Sequence, residues 1–475
     1  MPTQDLIGLL GRWSSSDAPL NLLLADAIGD AIKRGDLPEG CRLPSERHLA
    51  IGLGLSRTTI SLAYDRLRSD GQLRGRGGAG TRVAPAGTDR STLVAVPGSR
   101  EHPDLIELTV GALQGSHLVF EAIAETANVD AMDLMDLRGY QPMGLPALRE
   151  RLAEHLSRRG IATTSREILV TTGAQQALDL IARQFTGPDV SVILENPTYL
   201  GAIEAFRAAR MRLVPVAIDD DGLRIDLARS AAFASGASLL YVMPNSQNPT
   251  GSSLPEQRRA DLADLANQSG LTIVEDLSPD LTFGKAHPAP IAAFDRSGRV
   301  LSVGSFNKLF WGGLRVGWVR GPVELIDRLA ARKVTSDHAT SLLTQAVAVR
   351  LLEHVDEQVT LVEAMVRERR DAVTEALATN LPDWSWRAPS GGISLWVRMP
   401  FGSAADFTHI AERYGVMLRP GSLFSPSGGC EDYIRIPFGQ VPDRLREGVA
   451  RLALAWGEYR LTSSHRPAHA LAVTV

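Results

Sequence analysis

The chain has 475 residues, 44% of them hydrophobic and 22% charged, and a formal charge of −4. At roughly 150 residues per domain this is room for about two to four domains, and the composition excludes a disordered or collagen-like chain. So small a net charge gives no reason to expect a membrane or polyanion partner for the chain as a whole.

Two cysteines, Cys41 and Cys430, lie far apart and form neither a CxxC pair nor a disulfide framework, as suits a reducing compartment. The apolar run at 6–10 is too short for a signal segment, and no run reaches the roughly 18 apolar residues that a membrane helix needs. A soluble, cytoplasmic protein without a membrane partner is expected.

In chain order, residues 1–84 read as a small helical unit. Leu24, Ala27, Ile28, Ala31 and Ile32 recur at helical spacing, and Gly35 is a stop. After a turn with Pro38 and Gly40, Ser45 is a good N-cap for a short second helix that Gly52 and Gly54 end. Ser56 caps a third helix, with Ile60, Ala63, Tyr64 and Leu67 on one face and Gly71 closing it. From 72 to 84, two strand-like pieces flank a glycine-rich tip at 75–80. Three helices and a hairpin, with a tight turn between the second and third helices, make a winged helix-turn-helix pattern. The tip (GRGGAG) does not open a helix after a long apolar strand, so it reads as a wing and not as a nucleotide loop. Between 42 and 82, eight arginines oppose three acids, a local +5 that suggests contact with phosphates.

Residues 85–105 are rich in Pro, Gly, Ser and Thr and read as a linker. Beyond them the pattern alternates strand, loop and helix. Apolar runs at 168–170, 192–194, 239–243, 271–274 and 300–303 each precede a polar or glycine-rich loop, which predicts a mostly parallel sheet covered by helices over 106–320. From 321 to 462, longer helical patterns and strands at 394–397 and 433–436 predict a smaller α+β domain, and 463–475 reads as a tail.

In an open parallel sheet, ligands bind beyond the carboxyl ends of the strands, and the unusual residues fall there. TTGAQQ (171–176) runs into a helix whose free amides and positive end suit a phosphate. ENPTY (195–199), PNSQNPTG (244–251), Glu275-Asp276 and GSFNK (304–308) follow the other strands, with GLR (313–315) after them. Each alone has an ordinary structural reading: a turn, a helix cap, a surface lysine. Their order and placement together point to one site.

That ordered set resembles the fold-type I pyridoxal-phosphate (PLP) proteins of the aminotransferase class I/II group, over about 105–460. LPSER (43–47) and SRTT (56–59) resemble GntR-type winged helices, so the whole chain resembles the MocR/GabR-type regulators. The resemblance implies pyridoxal 5′-phosphate as cofactor. Lys308 matches the lysine of the Schiff base, Asp276 the carboxylate beside the pyridine nitrogen, Asn248 the partner of the ring hydroxyl, and Tyr199 the ring stacked on the cofactor. The amides of Gly173, Ala174 and Gln175 would hold the phosphate, with Ser305 and Arg315 as further donors. Tyr140 matches the tyrosine that reaches the phosphate of the neighbouring subunit, which implies a homodimer. Arg435, in YIRIPFG, matches the arginine that grips the carboxylate of an amino-acid ligand. Two residues after the aspartate the family usually has a tyrosine. Here the residue is Ser278, shorter and less acidic, which weighs against efficient transamination.

In the winged unit, Ser56, Arg57, Thr58 and Thr59 at the start of the third helix are expected to face the base edges of a double-stranded DNA operator. Arg47, Arg74 and Arg76 are expected to meet phosphates. The ten histidines form no metal-spaced cluster, so no metal site is expected. Three functions fit. The first is a DNA-binding regulator in which a small amino-compound effector displaces Lys308, forms an external aldimine and shifts the winged helices. The second is a working aminotransferase with a fused DNA-binding unit, and the third a sensor of PLP itself.

Overall fold

The computed structural model describes residues 3–11, 13, 20–33, 36–38, 40–69, 72–74, 81–83, 104–187, 190–278, 281–284 and 288–464. The chain divides into two compact units, Met1–Glu101 and His102–Val475.

The first unit holds α1 (Thr3–Leu10), α2 (Leu20–Lys33), α3 (Glu46–Leu53) and α4 (Arg57–Ser69), then the short strands β1 (Leu73–Arg74) and β2 (Arg82–Val83). The sequence reading has three helices here, and α1 is a fourth. It buries only Leu6, against a core that includes Leu24, Ile28, Leu49 and Leu67, and one buried residue in two turns leaves no periodicity to read. Ser45 caps α3 as expected, accepting from the His48 amide. Gly52 does not end α3. It lies inside the helix, where a side chain would come within 2.8 Å of Thr3 and Ile7 of α1, and Gly54 makes the stop at φ 66°. The Ser56 hydroxyl accepts from the Thr59 amide at 3.0 Å, capping α4. Tyr64, fully buried, donates to the Pro44 carbonyl at 3.0 Å and ties α4 to the entry of α3. β1 and β2 pair antiparallel, Leu73 opposite Val83. Gly35, Gly71 and the tip at 75–80 lie outside the described residues.

The second unit opens on β3 (Ile106–Glu107). Its main sheet has eight strands: β4 (Ile168–Thr171), β5 (Ser191–Asn196), β6 (Arg212–Asp219), β7 (Gly222–Leu223), β8 (Leu239–Val242), β9 (Thr272–Asp276), β10 (Val300–Ser305) and β11 (Gly317–Arg320). Their spatial order is β4-β11-β10-β9-β8-β5-β6-β7. The run from β10 to β6 is parallel, while β11 lies antiparallel between β10 and β4. The inner strands are buried on both faces, so their side chains alternate between two cores. Leu239 and Tyr241 join the core of the helices Ala174–Phe185 and Val323–Asp337, whereas Leu240 and Val242 join the core of the helices Pro146–Arg158 and Glu256–Ser269. The helix Leu342–Leu351 packs into the latter core.

The smaller lobe follows from the helix Val355–Asn380. Its sheet combines β12 (Ser385–Trp386), β13 (Ser394–Arg398), β16 (Tyr433–Pro437) and β15 (Arg419–Pro420), while β14 (Val416–Met417) pairs in parallel with β3. Ile106 and Leu108 therefore share a core with Val366, Leu395, Phe407 and Ile434. Trp384 packs edge-on to Phe407 and Trp456. Among the described residues, no helix is long and apolar enough to cross a membrane.

The place where β11 enters the sheet tolerates no side chain. A Cβ on Gly317 would lie 2.6 Å from the Cα of Gly173 and 2.8 Å from the Gly304 carbonyl oxygen, all of it backbone. Gly317→Ala is expected to destabilise the unit by about 1–3 kcal/mol, read as a lower urea midpoint at unchanged slope. A wild-type midpoint would show that the sheet opens freely here.

Candidate cofactor and effector site

Beyond the carboxyl ends of β4, β5, β8, β9 and β10 lies a cleft, the place where open parallel sheets bind their ligands. Ten of the eleven residues assigned to cofactor or effector line it: Gly173, Ala174, Gln175, Tyr199, Asn248, Asp276, Ser305, Lys308, Arg315 and Arg435. Tyr140 is the exception. It is 73% exposed on the surface and meets the His338 ring edge-on at 5.8 Å.

Asp276 ends β9 and is buried. Its carboxylate accepts from the Tyr241 hydroxyl and the Ser278 amide, each at 2.9 Å. Burial pushes its pKa up, and the hydrogen bonds from Ser278 and Tyr241 and the charge of Lys308 oppose that rise. A cation facing this carboxylate would be strongly favoured. The Lys308 amine donates to the Gly111 carbonyl. Burial and the charge of Arg435 push the amine down to about 8, with Asp276 pulling the other way.

At one end of the cleft the helix Ala174–Phe185 begins at Gly173 without a side-chain cap, so its first-turn amides are left for a ligand. Arg315 leans across this end and donates to the Thr172 carbonyl at 2.6 Å. A Cβ on Gly173 would come 3.2 Å from that guanidinium. Ser305 accepts from the Asn307 amide at 3.1 Å. Tyr199 donates to the Gln175 side chain at 3.2 Å. Bare amides, a hydroxyl and a guanidinium together could hold a phosphate.

At the other end, Arg435 projects from β16 of the smaller lobe. It donates to the Thr109 carbonyl and, at 3.4 Å, to the Asn248 side chain, and it lies 4.9 Å over the Phe424 ring. Its Nε is buried without a partner. Burial and the neighbouring Arg419 push its pKa down to about 10, and an anion brought here would relieve both costs.

Comparison with known proteins gives the families of both units. Residues 103–452 match the model of the aminotransferase class I and II family, and residues 22–83 that of the gntR family of bacterial regulatory proteins. An HTH-type transcriptional regulator of Bacillus subtilis, YisV, is 33% identical over 87% of this chain and 92% of its own. The probable rhizopine catabolism regulatory protein MocR of Rhizobium meliloti is 28% identical, over 78% and 79% of the two chains. Among solved structures, the α-aminoadipate aminotransferase LysN of Thermus thermophilus, complexed with a phosphopyridoxyl-leucine, superposes with a TM-score of 0.70 at 29% identity. The match covers 76% of this chain and 94% of that one.

The chain belongs to the MocR-type transcriptional regulators.

The cofactor of this regulator is pyridoxal 5′-phosphate, and the cleft's chemistry fits it: an anion cradle at one end, a buried carboxylate on the floor and a primary amine between them. Sequence reasoning missed the supports. Glu195, fully buried, accepts from the Met243 amide at 3.1 Å, and burial pushes its pKa up to about 8. Arg259, also fully buried, donates to the carbonyls of Pro244 and Leu254 at 2.8 and 2.9 Å and so holds both ends of the loop that carries Asn248. The turn Gly391-Gly392 closes the wall from the smaller lobe, where a Cβ on Gly391 would strike the Leu281 carbonyl oxygen at 2.0 Å. The double glycine in PSGGIS was its only signal.

In the DNA-binding unit, Arg47, Ser56, Arg57 and Thr58 are exposed and Thr59 half-buried. The fold consumes other arginines: Arg68 binds Asp65 at 2.6 Å and Thr81 at 3.2 Å, and Arg66 lies 3.3 Å from Asp26. Arg76 lies outside the described residues.

The depressed pKa of Lys308 sets a prediction. In cofactor-free protein, labelling of Lys308 by an amine-directed reagent should rise with a midpoint near pH 8 rather than the ordinary 10.5. Asp276→Asn, which removes the opposing carboxylate, should move the midpoint lower still. Site-resolved mass spectrometry reads both, and an ordinary lysine midpoint in the wild type would contradict the burial argument.

Proposed function

We propose that this regulator, a cytoplasmic homodimer, senses an amino-carboxylate effector through its cofactor and transmits the binding to its DNA-binding unit. One observation carries the reading: the cleft has a reactive amine at its centre and a buried guanidinium with an unpaired N–H, Arg435, on the opposite lobe.

In this reading Gly173, Ala174, Gln175, Ser305 and Arg315 hold the cofactor's phosphate, and Asp276 faces its ring nitrogen. Asn248 meets the ring hydroxyl, and Tyr199 covers the ring. The cofactor, when bound, supplies an electrophilic carbonyl to which a primary amine can attach. Lys308 would supply that amine in the absence of effector, and burial, which lowers its pKa to about 8, favours the neutral form that such attachment needs; the effector's own amine would compete for the same carbonyl. Arg435 binds the effector's carboxylate through its planar fork. The effector thus touches both lobes, and it biases DNA binding by the difference in its affinity for the two lobe arrangements. Arg57, Ser56, Thr58 and Thr59 read bases, with Arg47, Arg74 and Arg76 on phosphates.

Two functions can be separated by mutation. Arg57→Ala should weaken operator binding about tenfold, the cost of one base or phosphate contact, and leave the cofactor's visible absorbance and its response to effector intact. Arg435→Ala should keep DNA binding and cofactor absorbance and lose the effector-induced change in both. Screening amino acids by visible absorbance alongside DNA gel shift tests this directly, and a protein that binds no DNA at low salt would sink the regulator reading. A working transaminase is the second reading, favoured by the placement of Lys308 against Asp276 and opposed by Ser278. It predicts a keto acid accumulating at turnover rates from some amino donor.

The dimer rests on an apolar surface. Phe120, Val129, Met132, Met135 and Tyr140 are between 62% and 78% exposed on the segment 117–140, more large apolar surface than an isolated subunit normally shows. We infer that a second copy covers it and that Tyr140 reaches the partner's phosphate cradle. Met132→Glu with Met135→Glu should give monomers by light scattering and lower the retained cofactor. A dimer that survives both changes would place the interface elsewhere.

A further inference from the structure

Behind the phosphate cradle runs an unbroken line of hydrogen bonds that starts at a buried charge. Lys333, fully buried in the helix Val323–Asp337, donates to Oδ1 of Asp337 at 2.6 Å. The other oxygen of Asp337 accepts from Nε2 of Gln176 at 2.7 Å. The other end of that amide, Oε1, accepts from the Thr172 N–H at 2.8 Å. The carbonyl of the same residue accepts from Arg315 at 2.6 Å.

The three inner members, Asp337, Gln176 and Thr172, each have both ends used, and the chemistry allows only one direction. The carboxylate is acceptor-only, so the amide must turn its NH2 toward Asp337 and its oxygen toward Thr172. The ammonium in turn fixes the carboxylate. Thr172 is the last residue before Gly173, and its orientation sets where the first-turn amides of the next helix point. Arg315, at the far end, is held with a left-handed backbone at φ 52°, a conformation that persists in a non-glycine residue only where its surroundings enforce it.

We propose that Lys333 and Asp337, acting through Gln176, are positioning residues that keep the phosphate cradle in the shape that grips the cofactor's phosphate. The proposal rests on the placement of the phosphate at 173–175 given above. None of the three side chains touches the cofactor in this arrangement. Gln176 orients the peptide next to the cradle, and the ion pair of the buried Lys333 with the half-buried Asp337 orients Gln176. A lysine that needed only to neutralise one acid on its own helix could do so at the surface. Here the pair is placed inward, with the spare oxygen of the acid spent on a neighbouring helix.

The test compares pyridoxal 5′-phosphate with pyridoxal, which lacks the phosphate, in binding titrations of the cofactor-free dimer followed by visible absorbance. Wild-type protein should prefer the phosphorylated compound. Gln176→Leu and Asp337→Asn should weaken its binding about tenfold, as loss of an outer-shell orienting partner commonly does, and leave pyridoxal binding unchanged. Lys333→Met leaves the half-buried Asp337 without its cation, so it is paired with Asp337→Leu, an apolar replacement of the ion pair that stability usually tolerates. In that double variant the thermal midpoint should return to the wild-type value while the preference for phosphate stays lost. A double variant that regains the full preference, or single variants whose ratio equals the wild type's, would overturn the proposal by reducing the pair to packing. Wild-type protein without any preference for the phosphorylated compound would instead overturn the cradle assignment, and the proposal with it.

Discussion

Glu195, Arg259, Asp276 and Arg435 are ionisable side chains buried around the cleft, and each is bonded to the backbone of a loop: Glu195 to the Met243 amide, Arg259 to the Pro244 and Leu254 carbonyls, Asp276 to the Ser278 amide, and Arg435 to the Thr109 carbonyl. A charge taken out of water must find partners or it destabilises the fold by several kcal/mol. Here the partners are the loops themselves. The buried charges therefore fix the loops at the strand ends, and the loops fix the direction in which each charge faces the cleft. Preorganisation of this kind costs stability once, at folding, and nothing more when a ligand enters.

The same arrangement makes the two lobes interdependent. Arg435 belongs to the smaller lobe but bonds to Asn248 of the larger one and to Thr109 in the chain's entry. The turn at 390–392 bonds to Leu281 and Phe283, and Ser390 reaches the Gly251 carbonyl. On the proposed reading, an effector joined through its amine to the cofactor at one end and through its carboxylate to Arg435 at the other adds a bond across this seam. Its free energy of binding then depends on how the lobes sit, which is the condition for a ligand to shift a conformational equilibrium.

The sequence was informative where physics is local and silent where it is not. The apolar runs at 168–170, 192–194, 239–243, 271–274 and 300–303 became β4, β5, β8, β9 and β10, because a strand buried on both faces must be apolar throughout. β6 escaped notice because it is half-exposed and contains Pro215, and β11 because GWVR is short and its antiparallel insertion depends on contacts far away in sequence. Site residues such as Asp276 and Lys308 were legible from their position after strands. Arg259, Lys333 and Gln176 were not. Each lies within helical sequence, where a polar side chain is normally a solvated one, and only packing turns these inward. Gly52 shows the reverse error: a glycine read as a helix stop serves instead as the place where α1 can approach α3.

Ser278 bears on why such a cleft would serve a sensor. Turnover needs binding and, in addition, proton transfers tuned at each step, whereas sensing needs selective and reversible capture. The groups for capture are all in place: the amine of Lys308, the carboxylate of Asp276 and the guanidinium of Arg435. The position two residues beyond Asp276 carries a hydroxymethyl group where the aminotransferases use a phenol, and an aliphatic hydroxyl cannot share negative charge with a neighbouring ring oxygen as a phenol can. Restoring the ring with Ser278→Tyr would add a large side chain to a wall where the lobes already touch at the Leu281 carbonyl and the Gly391 backbone. On the proposed reading, the cleft holds a ligand across two lobes, and through that property a protein with exposed Arg47 and Arg57 would make DNA binding depend on a small molecule.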